Sequence, residues 1–92
     1  MPVIITYDVE RTTSTIHTEV KNAMKDLGYS DHVPINSGGN VKLPNTTLVK
    51  ENATPEQATT ALQDVCKKKS ATLEKYIALT FTYENGRVKD FN

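Results

Sequence analysis

The sequence has one cysteine, no tryptophan and no excess of charge of either sign. A single cysteine cannot form a disulfide within the chain, which fits a reducing compartment. Lys and Arg together number 11, and Asp and Glu together also number 11. This balance argues against a general nucleic-acid-binding domain, which is usually basic. No apolar run approaches the roughly 20 residues that cross a bilayer, and the N-terminus lacks the pattern of a signal peptide. These absences predict a cytoplasmic protein without membrane contact.

The length and composition that remain predict one folded domain over residues 1–92. Hydrophobic residues make up 37% of the chain and charged residues 24%, a balance typical of a globular domain. A chain of 92 residues has room for one hydrophobic core and not for a second.

The clearest apolar segment is residues 2–8, with the sequence PVIITYD. It is rich in β-branched residues, Tyr7 also favours a strand, and no charge appears before Asp8. Such a run predicts a central strand. We expect its odd-numbered residues to face the helices, and its even-numbered residues, including Asp8, to lie on the open face of the sheet.

The first predicted helix has apolar residues at helical spacing and ends before Gly28, which can adopt the left-handed conformation after a helix. Its N-cap is expected to be Thr12, Thr13 or Ser14. The apolar stripe consists of Ile16, Val20, Ala23, Met24 and Leu27.

The second predicted helix begins with the strongest local signal in the sequence, Thr54-Pro55-Glu56-Gln57. Thr54 as N-cap and Gln57 three residues later form a capping box, and proline is favoured at the first helical position. Cys66 lies on the apolar stripe and is expected to be a buried structural thiol. The remaining stripe residues are Ala58, Ala61, Leu62 and Val65.

The other strands are less uniform. Residues 29–35 contain Pro34 and predict at best an edge strand, residues 36–40 predict a loop, and residues 41–51 predict a further strand. Residues 76–83 predict the last long strand, with Ile77 and Leu79 on one side and Tyr76, Ala78, Thr80 and Thr82 on the open face. Asn85-Gly86 predicts a hairpin that returns residues 87–91 as a short strand.

This order of elements predicts an α+β fold, namely a ferredoxin-like βαββαβ two-layer sandwich with an extra short C-terminal strand. The first strand and residues 46–50 would then lie in the middle of the sheet. An open face carrying Ile4 and Tyr76 predicts a contact surface, and we expect a homodimer that covers two such faces at once.

At residues 3–9 (VIITYDV) and 43–49 (LPNTTLV) the chain resembles the small CRISPR-associated adaptation nuclease-like family and its VapD-type and GhoS-type relatives, ribonucleases of toxin–antitoxin systems. The resemblance implies a ferredoxin-like fold, a dimer and an endoribonuclease or RNA-binding function. It also implies that Asp8, the acid ending the first strand, binds a divalent metal such as Mg²⁺ near the dimer axis and is catalytic. Arg11, Lys42 and Lys50 are then the candidate nucleic-acid contacts.

Two observations keep a second hypothesis open. The CRISPR branch has a basic cluster soon after this acid, whereas here Glu10 and Arg11 are followed by hydroxyl residues. Asp8 also fits the simpler role of a polar strand end. The alternative function is a catalytically inert interaction or regulatory module on the same scaffold.

Of the two histidines, His17 is expected to be solvated, and His32 has the chemistry of a general base without an identifiable partner.

Overall fold

The computed structural model describes residues 1–34 and 38–82. Within them the chain is an α+β structure, as predicted, with two helices and antiparallel sheets. Its elements are β1 (Val3–Val9), α1 (Ile16–Asp26), β2 (His32–Pro34), β3 (Asn40–Lys42), β4 (Thr47–Lys50), α2 (Pro55–Lys68) and β5 (Leu73–Thr80). The predicted Asn85-Gly86 hairpin, the strand over residues 87–91, Tyr83 and part of the predicted loop lie outside the described residues.

The main sheet has the strand order β4-β1-β5, and both neighbours run antiparallel to β1. The prediction that β1 is central is therefore confirmed, whereas residues 46–50, also predicted to lie in the middle, contribute β4 at the edge of this three-stranded sheet. Its odd-numbered residues are buried and its even-numbered residues are partly or fully exposed, as the period of two requires. This order of strands is compatible with a ferredoxin-like fold.

Residues 41–51, predicted as one strand, form two separate elements. Asn40–Lys42 pairs with β2 in a two-stranded hairpin, and Thr47–Lys50 pairs with β1. Pro44 interrupts the segment because it has no N–H to donate, and Thr46 has a positive φ of 60°. A single bridge between Ser30 and Val49 joins β4 to the chain before the hairpin.

The β2–β3 hairpin packs against part of the open face. Val33, Leu43 and Val49 form a small buried cluster, and Ile4 and Phe81 contact it. Val49 lies opposite Ile4 in the β1–β4 ladder, so both side chains are on the side of the sheet away from the helices. The hairpin thus covers the β4 half of this face.

Helix α1 begins slightly later than predicted. Its N-cap is Thr15, which makes no side-chain cap to the backbone and instead donates a hydrogen bond from Oγ1 to Glu19 Oε2 at 2.9 Å. The predicted N-cap residues Thr12, Thr13 and Ser14 are wrong, because residues 10–14 form the turn that connects β1 to α1. The predicted end is confirmed: Gly28 has φ 96°, and its N–H donates to the Lys25 carbonyl at 2.9 Å.

Helix α2 has the predicted capping box. Thr54 Oγ1 accepts from the Gln57 N–H at 3.1 Å, and the Thr54 N–H donates to Gln57 Oε1 at 3.0 Å. The predicted apolar stripe is the buried face, which packs on the sheet through Ala58, Leu62, Val65 and Cys66. Within the described residues, neither helix has the length and apolarity that a membrane span requires.

The predicted faces of the last strand are reversed. Ala78 lies opposite Ile5, and Leu79 lies opposite Ile4, so Ala78 is on the helix side and Leu79 on the open side. Antiparallel partners share a face, and pairing with β1 therefore overrides the sequence pattern of β5, which has apolar residues on both sides. As a result Ile77 and Leu79 lie on the open face, 58% and 57% exposed.

Candidate functional site

Asp8 lies where the sequence analysis expects it, exposed near the C-terminal end of β1 on the open face of the sheet. Lys75 of β5 is its partner across the ladder, and the register shifts between Asp8 and Val9. The shift leaves Glu74 of β5 without a partner residue on β1, as in a β-bulge. In the described part of the chain no ion pair engages the Asp8 carboxylate.

A magnesium site at Asp8 would need ligands from elsewhere. Mg²⁺ prefers octahedral coordination by oxygen and commonly uses one or two carboxylates together with waters and phosphates. Residues 1–34 and 38–82 contain no group of three or more His, Cys, Asp or Glu side chains arranged to hold a metal ion. Asp8 fits such a site only as one ligand among several, the others being supplied by a second copy or by a phosphate.

Arg11 lies close to Asp8 along the chain, in the exposed turn that follows β1. The backbone around it is fixed, since the Glu10 N–H donates to the Thr72 carbonyl and the Thr12 N–H donates to the Glu10 carbonyl, both at 2.9 Å. The described residues form no ion pair with the guanidinium. Arg11 is therefore an exposed cation in a turn whose backbone is held in place by hydrogen bonds.

The two lysine candidates lie away from Asp8. Lys50 pairs with Val3, five positions from Asp8 along β1, which at about 3.4 Å per residue is roughly 17 Å. Its Nζ donates to the Leu27 carbonyl at 2.9 Å and lies 5.2 Å from the centre of the Tyr29 ring, so it stabilises the C-terminal end of α1. Lys42 is exposed on β3. Asp8 and Arg11 are thus three residues apart along the chain, and both lysines lie on other elements.

A charged cluster around Asp31 was missed by the sequence analysis. We define the Asp31 cluster as Asp31, His32, Lys21 and Lys25. Asp31 Oδ2 lies 2.9 Å from Lys21 Nζ and 3.7 Å from Lys25 Nζ, while Oδ1 accepts from His32 Nδ1 at 2.6 Å. Asp31 is the one buried charged residue of the described chain.

The ionised form of Asp31 is strongly favoured. The hydrogen bond from Lys21, together with the charge of Lys21 and the hydrogen bond from His32, lowers the pKa of Asp31 to about 2 against the opposing effect of burial. Burying a carboxylate is costly unless it is paired and hydrogen-bonded, and both oxygens meet this condition. The spacing of Lys21 and Lys25 on one helix face was the sequence signal that could have indicated this cluster. The carboxylate that they contact comes from a later segment.

His17 is not solvated, so that prediction is wrong. Its side chain is partly buried, and Nε2 donates to the Val9 carbonyl at 2.9 Å. Because α1 begins directly after the turn that follows β1, its first residues pass over the end of the strand. His17 therefore ties α1 to the backbone beside Asp8.

Cys66 is buried and free of disulfides, as predicted. Burial raises the pKa of its thiol. Burial also raises the pKa of Tyr7, to about 12, with a smaller contribution from Cys66. Both groups are therefore neutral at ordinary pH and belong to the core.

No family model, curated protein or solved structure matches this chain.

Proposed function

We propose that this protein is a small homodimeric RNA-binding protein of ferredoxin-like fold that acts as a Mg²⁺-dependent endoribonuclease centred on Asp8. The observation that carries the proposal is the position of Asp8. The central strand delivers its carboxylate to the open face, with Arg11 nearby and with no ion pair to the described residues.

The roles follow from the chemistry of the two side chains. A hard oxygen ligand such as the Asp8 carboxylate suits Mg²⁺, and a bound Mg²⁺ would supply an activated water for attack on a phosphodiester. The guanidinium of Arg11 matches the geometry of a phosphate and keeps its charge at all relevant pH values. Asp8 therefore serves as metal ligand and Arg11 as the contact to the RNA backbone.

A second copy is the partner that the open face suits. Ile77 and Leu79 are exposed beside the acidic Asp8 and the basic Lys75. The face thus contains an apolar centre and charges of both signs, and an identical copy brings the complementary set. Pairing two such faces would also bring a second Asp8 to the interface and supply another carboxylate.

The proposal is tested by incubating the protein with mixed RNA, with and without Mg²⁺. We expect Mg²⁺ to accelerate cleavage well above the rate in a metal chelator, and we expect Asp8→Asn to slow this Mg²⁺-dependent cleavage about tenfold or more, since a metal site with one ligand fewer loses affinity or activity. Glu51→Gln, which changes an exposed acid after β4, serves as the matched control. Cleavage by Asp8→Asn at the wild-type rate would refute the proposal.

Arg11 is tested by its effect on binding. Arg11→Ala is expected to weaken RNA binding and to reduce the slope of log affinity against log salt by about 1, because one phosphate contact is lost. Arg11→Lys keeps the charge and should retain most of that slope. An unchanged slope in Arg11→Ala would remove this residue from the site.

The second candidate function is an inert interaction or regulatory module. The exposed Ile77 and Leu79 favour it, because an apolar face suits protein contact whether or not chemistry occurs. Formation of a dimer without RNA cleavage under any metal condition would select this candidate over the nuclease.

A further inference from the structure

We propose that His32, oriented by Asp31, is a proton-transfer site that cleaves RNA by attack of its own 2′-hydroxyl, without a metal ion and separately from Asp8. This proposal rests on the proposed function in one respect, namely that RNA is the substrate class.

The first argument is that the two carboxylate oxygens of Asp31 have different partners. Oδ2 is held by Lys21, and Oδ1 accepts the hydrogen bond from His32 Nδ1. With the carboxylate ionised, Nδ1 must carry the shared proton, and in the neutral imidazole the lone pair is then on Nε2. A buried carboxylate that fixes the tautomer of a histidine is the arrangement by which such a base is prepared for proton transfer.

The second argument is the contrast in exposure. The Asp31 side chain is 7% exposed, and that of His32 is 49% exposed. In the described part of the chain no hydrogen bond to Nε2 is formed. The backbone of His32 is nonetheless fixed, because Ser30 Oγ accepts from the His32 N–H and donates to the His32 carbonyl, both at 3.1 Å. His32 is therefore held in place while its second nitrogen remains open to a substrate.

The third argument is the surrounding charge. Lys42 is the ladder partner of His32 on β3, and paired residues of antiparallel strands project on the same face. Lys21 and Lys25 of α1 lie behind Asp31, and Lys25 is largely exposed. Three lysines against one carboxylate make this surface attractive to an anion. A phosphodiester is thus the suitable substrate, with Lys42 contacting its non-bridging oxygens.

The step balances without a further reactant. His32 Nε2 takes the proton of the 2′-hydroxyl, the 2′ oxygen forms a bond to phosphorus, and the bond from phosphorus to the 5′ oxygen breaks. The leaving 5′ oxygen takes a proton from water, and the imidazolium neutralises the hydroxide formed. The products are a 2′,3′-cyclic phosphate and a 5′-hydroxyl, with no change of oxidation state.

The experiment measures RNA cleavage in a metal chelator and identifies the product ends. We expect slow cleavage by wild type and equally by Glu51→Gln, yielding cyclic phosphate ends, with no cleavage of DNA of the same sequence. His32→Gln should be slower by about 100-fold or more, the usual contribution of a general base. His17→Gln, which removes the other histidine, is the matched control. Added imidazole should restore part of the activity of His32→Ala.

Two results would overturn this proposal. One is the absence of cleavage in chelator, and the other is cleavage that His32→Gln leaves unchanged. Either result can occur while wild type still cleaves RNA with Mg²⁺ and Asp8→Asn does not. In that case the proposed function stands, and only the His32 site fails. Absence of RNA binding altogether would overturn both. Circular dichroism of each variant confirms that it has folded.

Discussion

Asp31 shows how one residue can depend on contacts that are distant along the chain. Its carboxylate is buried, and Lys21, ten residues earlier, lies 2.9 Å away. Such a pair does not necessarily stabilise a protein relative to apolar residues, but breaking it leaves a buried charge without a partner. Stability should therefore respond strongly to the loss of either partner.

Because of the Asp31 cluster, we expect the free energy of unfolding to depend on pH in the acid range. The pKa of Asp31 is lowered from 3.8 to about 2 in the folded protein, so the folded state binds this proton less readily than the unfolded state. The resulting stabilisation is present above pH 4 and is lost as the pH falls towards 2, by about 1–2 kcal/mol. Urea unfolding over this range should show the loss, and Asp31→Asn should remove this part of the pH dependence. A wild-type profile that matches that of Asp31→Asn would contradict the prediction.

The two lysines of the cluster provide a matched pair of substitutions. Lys21→Met removes the cation at 2.9 Å and should lower the free energy of unfolding by about 3 kcal/mol, the cost of breaking a buried pair. Lys25→Met removes a more exposed cation at 3.7 Å and should cost less than about 1 kcal/mol. Equal losses in urea unfolding would show that Lys21 does not have the dominant role.

At the scale of an element, α2 is the part whose ends are best defined by its own sequence. Thr54 and Gln57 satisfy each other's backbone N–H groups, and Pro55 fits the first turn. Because these bonds join residues only three apart, they form without help from the rest of the fold. The helix N-terminus should therefore contribute a measurable, local stabilisation.

Thr54→Ala is expected to lower the free energy of unfolding by about 1 kcal/mol, since alanine cannot accept the hydrogen bond from the Gln57 N–H. Thr60→Ala, at an exposed position within α2, is the control and should be neutral or slightly stabilising because alanine favours helix. Thermal unfolding of both variants measures the difference. A Thr54→Ala variant as stable as wild type would contradict this role for the cap.

At the scale of the whole molecule, the two faces of the sheet are covered unequally. The helices cover one face and form the main core, whereas the β2–β3 hairpin covers only the β4 half of the other. Ile77 and Leu79 of β5 remain exposed on that second face. A neighbouring copy is the partner that we propose for this half.

Replacing both Ile77 and Leu79 by threonine should abolish the proposed dimer, because it removes the apolar area and keeps residues that favour a strand. Light scattering at about tens of micromolar, a range chosen for micromolar dimer affinities, should show a dimer for wild type and a monomer for the variant. Leu27→Thr, which changes an exposed apolar residue directly after α1, should leave the dimer intact. A wild-type monomer under these conditions would refute the homodimer.

Sequence alone was sufficient wherever the cause of the structure is local. The alternation of β1, the apolar stripes of both helices, the Thr54 cap and the stop at Gly28 depend on residues within a few positions of one another. One member of the predicted α1 stripe is wrong, since Leu27 lies after the last turn and is 48% exposed. The placement of Asp8 on the open face follows from the same alternation.

Only the tertiary structure established the features that depend on distant segments. Pairing with β1 sets which side of β5 faces the helices, and it exposes Ile77 and Leu79. The arrival of Asp31 beside Lys21, and of Lys50 at the end of α1, likewise requires the completed chain path. The physical reason is that periodicity and capping act over one or two turns, whereas register and burial of charge arise only when separate elements meet.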